Sequence, residues 1–385
     1  MRIHILSSRF PYPLEKGDKL RLYHQIRLLS MNHEVHLFCI SEKNTSDEDI
    51  AHLKQFCKSV TLYPVSRIMR FWMVFAGIFF NLPFHVGYFY LNRLTRNIQR
   101  DLQENNPDLI FCQLVRVIPY LKGFKGKIWL DFMDSFSANL RKRKETAPWW
   151  EKIWLRWEIA KMIKVEKSAF DTADYFSIIS EQDRQSIDPE NKHRIAVLPN
   201  GVDLEYYHPN EYHEELYDIC FTGNLGYEPN IKAASYLINR IGKKLESDIT
   251  VRIAGARPSK SLMKQSNTRF IIEGWMDDIR EVYWTGKIFV APLFSGSGQQ
   301  NKILEAMASG LSVVTTSQVN NAIGAIPGKE IFIADDLQTF LRTIDMLLDD
   351  EDLRKSTSHD AREFVEKNYD WLTIGSKMED FFREV

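Results

Sequence analysis

The sequence predicts an α/β protein built from two doubly wound domains. Short apolar runs rich in β-branched and aromatic residues recur along its 385 residues, with helical segments between them. Such runs are typical of parallel strands that are buried on both faces. A chain of this length is expected to contain two domains, each large enough for its own core. Several of the strands are followed by glycine-bearing loops, and doubly wound sheets bind their ligands at such loops.

Residues 288–316 form the most informative stretch. Its two ends, 288–292 and 311–316, are apolar and predict neighbouring parallel strands. The small residues 295–298 predict the start of a helix between them, and Gly310 predicts its end. A helix entered through small residues directly after a strand presents N–H donors and a positive dipole end, which together favour phosphate binding.

Lys302 and Glu305 lie three residues apart on this helix, so they share one face. A cation beside the phosphates and a carboxylate one turn deeper suit a nucleoside diphosphate, because the first neutralises charge and the second accepts hydrogen bonds from the ribose hydroxyls. The alternative is an ordinary Lys–Glu pair on a surface helix. The glycine and serine residues before the pair and the Val-Val-Thr strand after it favour the ligand interpretation.

The run GSGQQNKILEA over residues 296–306 resembles the donor-site motif of the retaining GT-B glycosyltransferases, the nucleotide-sugar-dependent family related to sucrose and glycogen synthases. Glu305 matches the second glutamate of that motif, the ribose ligand, and Gly310 matches its tail. Ser297 stands where the first glutamate is expected, which questions the detailed sugar contacts. The resemblance implies two Rossmann-like domains that face each other across a cleft.

Further motifs extend the resemblance along the chain. The sequence PNGVD at residues 199–203 resembles the turn that leads into the second domain, so the expected boundaries are 1–198, 199–366 and a terminal helix over 367–385 that crosses back. Gly17 matches a glycine that approaches the donor diphosphate; a plain turn glycine is the alternative.

The resemblance also assigns site residues. It implies Asp134 as a hydrogen-bond partner of the donor sugar, with Lys302 and Glu305 completing the catalytic set; an Asp that only caps the next turn is the alternative for Asp134. Relatives often hold the diphosphate with an arginine and a lysine after the first strand of the second domain, but Asn224 and Asn230 stand in those places. The remaining donor-binding residues implied are Gly223, Asn224, Trp275, Met276, Ser297, Gly298, Gln299 and Gln300. The expected acceptor-side residues are Asp18, Lys19, Arg21 and Asp131.

The charge distribution distinguishes the two halves. Residues 1–170 contain 27 Lys and Arg against 16 Asp and Glu, although the whole chain has a net charge of −1. Residues 71–92 carry no formal charge, which allows helices packed on the domain, an interfacial membrane surface or a span. Residues 141–167 mix four tryptophans with many basic residues, and Trp150, Trp154 and Trp157 share one helical face. This pattern predicts a helix that either contacts an anionic membrane or packs its tryptophan stripe against the protein core.

The cysteines and the first residues of the sequence indicate the cellular compartment. Cys39, Cys57, Cys112 and Cys220 lack metal-ligand spacing, and three lie in apolar strand-like runs, as reduced core cysteines do. The apolar start is too short for a signal peptide. We therefore expect a cytoplasmic protein, with a peripheral position on the inner membrane face as an option.

The function expected is retaining transfer of a sugar from a nucleoside diphosphate sugar to a glycan or lipid-linked acceptor. Neither a metal nor another cofactor is expected, since the second half contains no D-x-D strand end and no His/Asp cluster. No nucleic-acid partner is expected. Two alternatives remain open: a nucleotide-sugar epimerase of the same fold, and a non-catalytic protein that binds nucleotide sugars.

Overall fold

The chain forms two compact units. The computed structural model describes residues 1–14, 16–41, 45–79, 81–104, 106–210, 212–295 and 298–383. Unit 1 consists of Met1–Pro199 together with Gly375–Val385, and unit 2 of Asn200–Ile374.

Unit 1 contains a seven-stranded parallel sheet. Its strands follow the chain as β1 (Arg2–Ser7), β2 (Glu34–Cys39), β3 (Ser59–Leu62), β4 (Leu109–Gln113), β5 (Ile128–Asp131), β6 (Tyr175–Ile178) and β7 (Ile195–Val197). Their order across the sheet is β3-β2-β1-β4-β5-β6-β7. The order reverses between β1 and β4, which is the point where doubly wound sheets bind ligands.

The helices of unit 1 flank this sheet. They are α1 (Gly17–Ser30), α2 (Asp47–Leu53), α3 (Arg67–Phe79), α4 (Phe84–Gly87), α5 (Asn92–Gln103), α6 (Phe136–Thr146), α7 (Trp149–Ala169) and α8 (Glu181–Ile187), with 3₁₀ segments at Val115–Leu121 and Lys192–Arg194. Several begin at a serine whose hydroxyl accepts a backbone N–H three residues later, as Ser46, Ser135 and Ser180 do.

Unit 2 contains a six-stranded parallel sheet. Its strands are β8 (Tyr217–Thr222), β9 (Val251–Ala254), β10 (Phe270–Glu273), β11 (Gly286–Ala291), β12 (Ser312–Thr315) and β13 (Phe332–Ile333). The order β10-β9-β8-β11-β12-β13 reverses between β8 and β11. Two parallel, doubly wound sheets confirm the fold class that the sequence predicts.

The helices of unit 2 complete the chain. They are α9 (Glu228–Tyr236), α10 (Lys260–Met263), α11 (Arg280–Trp284), α12 (Asn301–Ala308), α13 (Ser317–Ile323), α14 (Leu337–Asp349), α15 (Glu351–Tyr369) and α16 (Trp371–Arg383), with a π-helical turn at Leu237–Gly242. The second half of α16 belongs to unit 1, where the Phe381 and Phe382 rings lie 4.6 and 4.7 Å from the ring of buried Trp129.

The two segments with membrane-like composition have mixed environments. In α3, Ile68, Phe71, Trp72 and Phe75 are exposed at i, i+3, i+4 and i+7, while Met73 is buried. At the start of α7, Trp149, Trp150 and Ile153 are exposed. Trp154 and Trp157 are partly buried, with ring centroids 6.3 and 5.0 Å from Phe84. The tryptophans on one helical face of α7 thus do not share one environment, because Phe84 covers only the inner two.

No helix in the described part of the chain is both long and apolar enough to cross a bilayer. The four cysteines are buried and free. Burial raises the pKa of the Cys57 thiol to about 12, so it stays protonated at neutral pH.

Candidate functional site

The carboxyl edge of the unit 2 sheet brings together residues from the loops after β8 and β11. Gly223, directly after β8, has a φ of +157°. A Cβ atom there would lie 2.9 Å from Nδ2 of Asn230 and 3.1 Å from Cε of Lys302. Only glycine therefore allows the β8 loop, α9 and α12 to approach this closely.

Lys302 occupies the first turn of α12 and is half-buried. Its Nζ donates to Oδ1 of Asn230 at 2.8 Å and to Oε1 of Gln300 at 3.2 Å. Burial lowers the pKa of Lys302 to about 8, partly offset by the charge of Glu305. The ammonium is thus mostly charged at neutral pH and surrounded by neutral amides, an arrangement that leaves its charge available to an anionic ligand.

Glu305 lies one turn beyond Lys302 on the same face of α12. Its Oε2 accepts a hydrogen bond of 2.8 Å from the hydroxyl of Tyr283, which lies 2.7 Å from Oγ1 of Thr222. Burial raises the pKa of Glu305, while the Tyr283 hydrogen bond and the Lys302 charge act against this shift. The chain of hydroxyls therefore fixes the orientation of one carboxylate oxygen.

The entrance to α12 is held by Gln299. Its side-chain amide pairs with the backbone of Asn200: the Asn200 N–H donates to Oε1 at 2.9 Å, and Nε2 donates to the Asn200 oxygen at 2.8 Å. Gly298 has a φ of +73°, and Gln300 is the N-cap residue of α12, where its side chain contacts Lys302 and does not accept from a first-turn N–H. The first-turn N–H groups of any helix lack intrahelical acceptors, so this end can receive an anion. Ser297 lies outside the described residues.

The other predicted donor-side residues lie on neighbouring loops of unit 2. Asn224 accepts from the Gly226 N–H at 3.0 Å and, through its backbone oxygen, from Nδ2 of Asn230 at 3.0 Å. Trp275 and Met276 lie on the loop after β10; Trp275 is 71% exposed, and Met276 packs against the unit 2 core.

In unit 1 the predicted residues lie where β1, β4 and β5 end. Gly17 is the first residue of α1, and a Cβ there would meet only Cε of Met133 at 3.7 Å, so space does not require glycine. Asp18 pairs with Arg9 at 2.5 Å. Lys19 donates to the Tyr12 carbonyl at 3.4 Å.

Arg21 and Asp131 form a buried ion pair, with side-chain exposures of 1% and 0%. The guanidinium donates twice to the carboxylate, at 2.6 and 3.0 Å, and once to the Leu198 carbonyl. Gln25 and Ser177 add hydrogen bonds to the same carboxylate. These contacts fix α1 and β6 to the end of β5. The structure thus gives the pair a structural contact, and an acceptor role for it stays a prediction.

Asp134 follows β5 after Met133, a non-glycine residue with a φ of +66°. Its Oδ2 accepts from Nδ2 of Asn139 at 2.8 Å. Burial raises the pKa of Asp134 to about 7, with a further rise from Asp183, while Arg116 and Asn139 act against the shift. A carboxyl group that titrates near neutral pH at a ligand edge is a frequent property of functional sites.

Sequence reasoning missed Tyr283 and Thr222, which support Glu305, and Arg116, which lies beside Asp18 and Asp134. Tyr283 lies in a five-residue helix without a motif, so no sequence signal marks it. Arg116 had a signal, because a basic residue shortly after a buried strand points to the ligand edge of such a sheet. Lys232, the lysine of α9, is exposed and pairs with Glu228 at 2.7 Å.

Comparison with solved structures identifies the fold. Sucrose-phosphate synthase from Thermosynechococcus elongatus superposes with a TM-score of 0.75 at 14% identity, covering 100% of this chain and 99% of that chain. HepE from Anabaena in complex with UDP superposes with a TM-score of 0.71 at 14% identity, covering all of both chains. The fold is therefore that of the GT-B glycosyltransferases.

Sequence comparison adds the family. Residues 217–350, most of unit 2, match the family model described as Glycosyl transferases group 1, which confirms the predicted resemblance to the GT-B glycosyltransferases. An uncharacterized 44.6 kDa protein in the cps region of Klebsiella pneumoniae is 23% identical over 398 positions, covering 98% of each chain. The capsular polysaccharide biosynthesis glycosyltransferase CapM of Staphylococcus aureus is 24% identical over 242 positions, covering 57% of this chain and 63% of CapM.

Proposed function

We propose that this protein transfers a sugar from a nucleoside diphosphate sugar to an acceptor, with retention of the anomeric configuration and without a metal ion. The single observation that carries the proposal is the pair Lys302 and Glu305 on one face of α12, behind a loop where only Gly223 fits. The similarity to HepE, solved with UDP, supports a uridine nucleotide as the first donor to test.

The proposed roles follow from the contacts. Lys302 and the first-turn N–H groups of α12 bind the diphosphate, while Glu305, oriented by Tyr283, accepts from the ribose hydroxyls. As the bond from the anomeric carbon to the phosphate oxygen breaks, negative charge grows on the diphosphate, and a fixed cation stabilises it. The acceptor oxygen forms the new bond on the same face, and its proton passes to the departing phosphate. Asp134 stays a prediction as the partner of a sugar hydroxyl.

Thermal unfolding with UDP, GDP, ADP and their sugars tests the donor assignment. A ligand that binds only the native state raises its stability by about 2.7 kcal/mol at a hundredfold excess over Kd. We expect one nucleotide to raise the melting temperature of the wild type and of Lys232→Ala, but much less that of Lys302→Ala. Equal shifts in both variants would show that the nucleotide binds elsewhere.

Product analysis separates the alternatives. A transferase releases free nucleotide and forms a product whose anomeric proton coupling shows retention, an epimerase forms a new nucleotide sugar, and a binding protein forms no product. The proposed metal-independent mechanism predicts activity that persists in EDTA. Loss of activity in EDTA, restored by Mg²⁺, would contradict the metal-independent mechanism.

We also propose that the acceptor is met at an anionic membrane surface. The exposed side chains Ile68, Phe71, Trp72 and Phe75 on α3 and Trp149, Trp150 and Ile153 on α7 form what we call the aromatic surface. Helix α4 connects the two helices. Glu158 of α7 accepts from the backbone N–H groups of Phe84 and His85 of α4 at 2.8 and 3.0 Å, and α4 packs closely on α3, since a Cβ atom at Gly77 would lie 3.0 Å from Cα of Gly87.

Charge near the aromatic surface favours anionic lipid over a protein partner. Arg141, Lys142 and Arg143 at the end of α6 directly precede α7 and are exposed, as is Arg156 within it. Exposed aromatic side chains next to several cations are typical of helices that lie at a headgroup boundary, where each cation contributes about 1 kcal/mol. Relatives named for a cps region and for capsular polysaccharide biosynthesis support a glycan precursor as acceptor.

Co-sedimentation with vesicles tests this proposal. We expect binding to vesicles containing phosphatidylglycerol at low salt, and much less binding at high salt or to neutral vesicles. The double variant Trp72→Ser/Trp150→Ser should bind weakly, whereas Ile326→Ser/Met346→Ser, which removes exposed apolar side chains of unit 2, should bind as the wild type does. Equal binding of both double variants would contradict the proposal.

A further inference from the structure

The ligand edge of unit 1 contains a cluster of arginine side chains around one aromatic ring. The guanidinium carbons of Arg9, Arg70 and Arg116 lie 5.3, 5.2 and 4.9 Å from the centroid of the Phe89 ring. Arg9 follows β1 and Arg116 follows β4, so both lie where the strand order reverses. Ligands of doubly wound sheets bind at this position.

Arg116 is buried, with 8% of its surface exposed. Its guanidinium lies between the rings of Phe89 and Phe136, at 4.9 and 4.8 Å from their centroids. Neither its Nε nor its Nη1 has a hydrogen-bond partner among the residues that the structure describes. Oδ2 of Asp18 lies 3.8 Å from Nη1, which is too long for a hydrogen bond. A buried guanidinium with unsatisfied donors is costly unless a ligand supplies the acceptors.

The charges around Arg116 do not balance. Asp18 forms its short contact, 2.5 Å, with Arg9 and so already neutralises one guanidinium. Asp134, the second carboxyl group near Arg116, has a pKa raised to about 7 by burial, and its Oδ2 already accepts from Asn139. The pKa of Arg116 is lowered by burial to about 10, so its guanidinium is still charged at neutral pH. Counted over the described residues, the pair Arg9 and Arg116 therefore lacks about one negative charge.

We propose that Arg116 and Arg9 bind a phosphate group of the acceptor, an inference that rests on the proposed glycosyl transfer and narrows its acceptor to phosphorylated molecules. A phosphate supplies several acceptor oxygens to the fork of N–H donors on a guanidinium, which a lysine cannot match. The Arg9 side chain is about one-third exposed and shares the Phe89 ring with the buried Arg116, so an anion that reaches Arg9 from solvent comes close to Arg116. A lipid-linked diphosphate and a soluble sugar phosphate share this chemistry.

Calorimetry in the presence of saturating UDP tests the site, because the nucleotide then occupies unit 2. We expect inorganic phosphate to bind the wild type and to bind Arg116→Gln at least tenfold more weakly. Arg240→Gln, which removes an exposed arginine of unit 2, should bind phosphate within twofold of the wild type. Arg9→Gln, at a more exposed position than Arg116, gives a second test if Arg116→Gln fails to fold, with an expected loss of three- to fivefold.

Two further arms complete the experiment. If farnesyl diphosphate binds at least tenfold more tightly than inorganic diphosphate, the acceptor is lipid-linked. Equal affinities of the two ligands support a soluble acceptor. In either case, binding should require Arg116. Phosphate binding that is absent in the wild type, or equal in wild type, Arg116→Gln and Arg9→Gln, overturns the inference. If no nucleotide binds but phosphate binding still depends on Arg116, the proposed function fails while the anion site stands.

Discussion

The ligand edges of the two sheets have the same topology but different charge. In unit 2, helix α12, which follows β11, presents one ammonium, Lys302, and one carboxylate, Glu305, each in contact with neutral amides or hydroxyls. In unit 1, the loops after β1 and β4 collect Arg9 and Arg116 against one close carboxylate, Asp18. The strand order thus fixes where a ligand binds, whereas the side chains decide which one. Unit 2 suits a ligand with both phosphates and hydroxyls, and unit 1 suits an anion.

The largest expected effect is that of Lys302→Gln, which removes the cation of the unit 2 edge. We expect kcat to fall by about 10²- to 10³-fold, with a smaller change in the donor KM, because the charge that Lys302 meets grows in the transition state. Steady-state kinetics with the matched control Lys232→Gln measures this. A rise in KM alone would mean that Lys302 binds the donor equally in the ground state and in the transition state.

The pH dependence of kcat/KM tests the same role of Lys302. Because the pKa of Lys302 is lowered to about 8, kcat/KM for the donor should fall as the pH rises through about 8 and the ammonium loses its proton. Lys302→Arg keeps its charge in that range, so the fall should move to higher pH. A fall that stays near pH 8 in Lys302→Arg would belong to another group.

The next effect concerns Glu305→Gln. A charge-assisted hydrogen bond to the ribose contributes about 1.5–3 kcal/mol, so the Kd of the nucleotide should rise roughly 10- to 150-fold. Calorimetry with the ribonucleotide and its 2′-deoxy analogue gives a double-mutant cycle. The wild type should lose affinity for the deoxy analogue, and Glu305→Gln should lose much less. Equal losses of affinity for the deoxy analogue in the wild type and in Glu305→Gln would mean that another residue contacts the ribose hydroxyl.

In unit 1, Asp134→Asn should increase stability in a pH-dependent way. The native pKa of Asp134 is about 7 against about 3.9 when unfolded, so the native state binds more protons between these values, and wild-type stability falls as the pH rises through them. The asparagine variant lacks this loss. We expect no difference at pH 4 and a gain on the order of 1–3 kcal/mol at pH 8, allowing for partial solvent access.

Denaturant unfolding at the two pH values measures this gain. Asp171→Asn, at an exposed position of the same unit, is the control and should change little. A gain of equal size at both pH values would mean that the carboxyl group is not the source. Such a result would also weaken the contrast between the two edges, since it would remove the neutral carboxyl group from the unit 1 cluster.

The smallest effect is expected for Tyr283→Phe, which removes one hydroxyl from the unit 2 edge. Glu305 would keep its charge but lose its fixed orientation, so nucleotide affinity should fall by about 0.5–1.5 kcal/mol. Tyr212→Phe, at a fully exposed tyrosine, is the control for calorimetry. A loss as large as that of Glu305→Gln would indicate that Tyr283 itself contacts the nucleotide.

The sequence by itself determined the features that depend on neighbours along the chain. Apolar runs of strand length and the shared helical face of Lys302 and Glu305 follow from local geometry, and the structure confirms them. The α/β class and the glycosyltransferase resemblance were predictable for the same reason, because their signals lie in short stretches.

Only the tertiary structure decided the partners of these residues. Arg21 and Asp131 are separated by 110 positions, and Tyr283 and Glu305 by 22, so no local pattern predicts either hydrogen bond. The composition of α7 could not show that Phe84 covers Trp154 but leaves Trp150 exposed. Local periodicity specifies which residues share a face. What packs against that face depends on chain segments far away in sequence, whose positions are fixed only when the whole sheet is assembled.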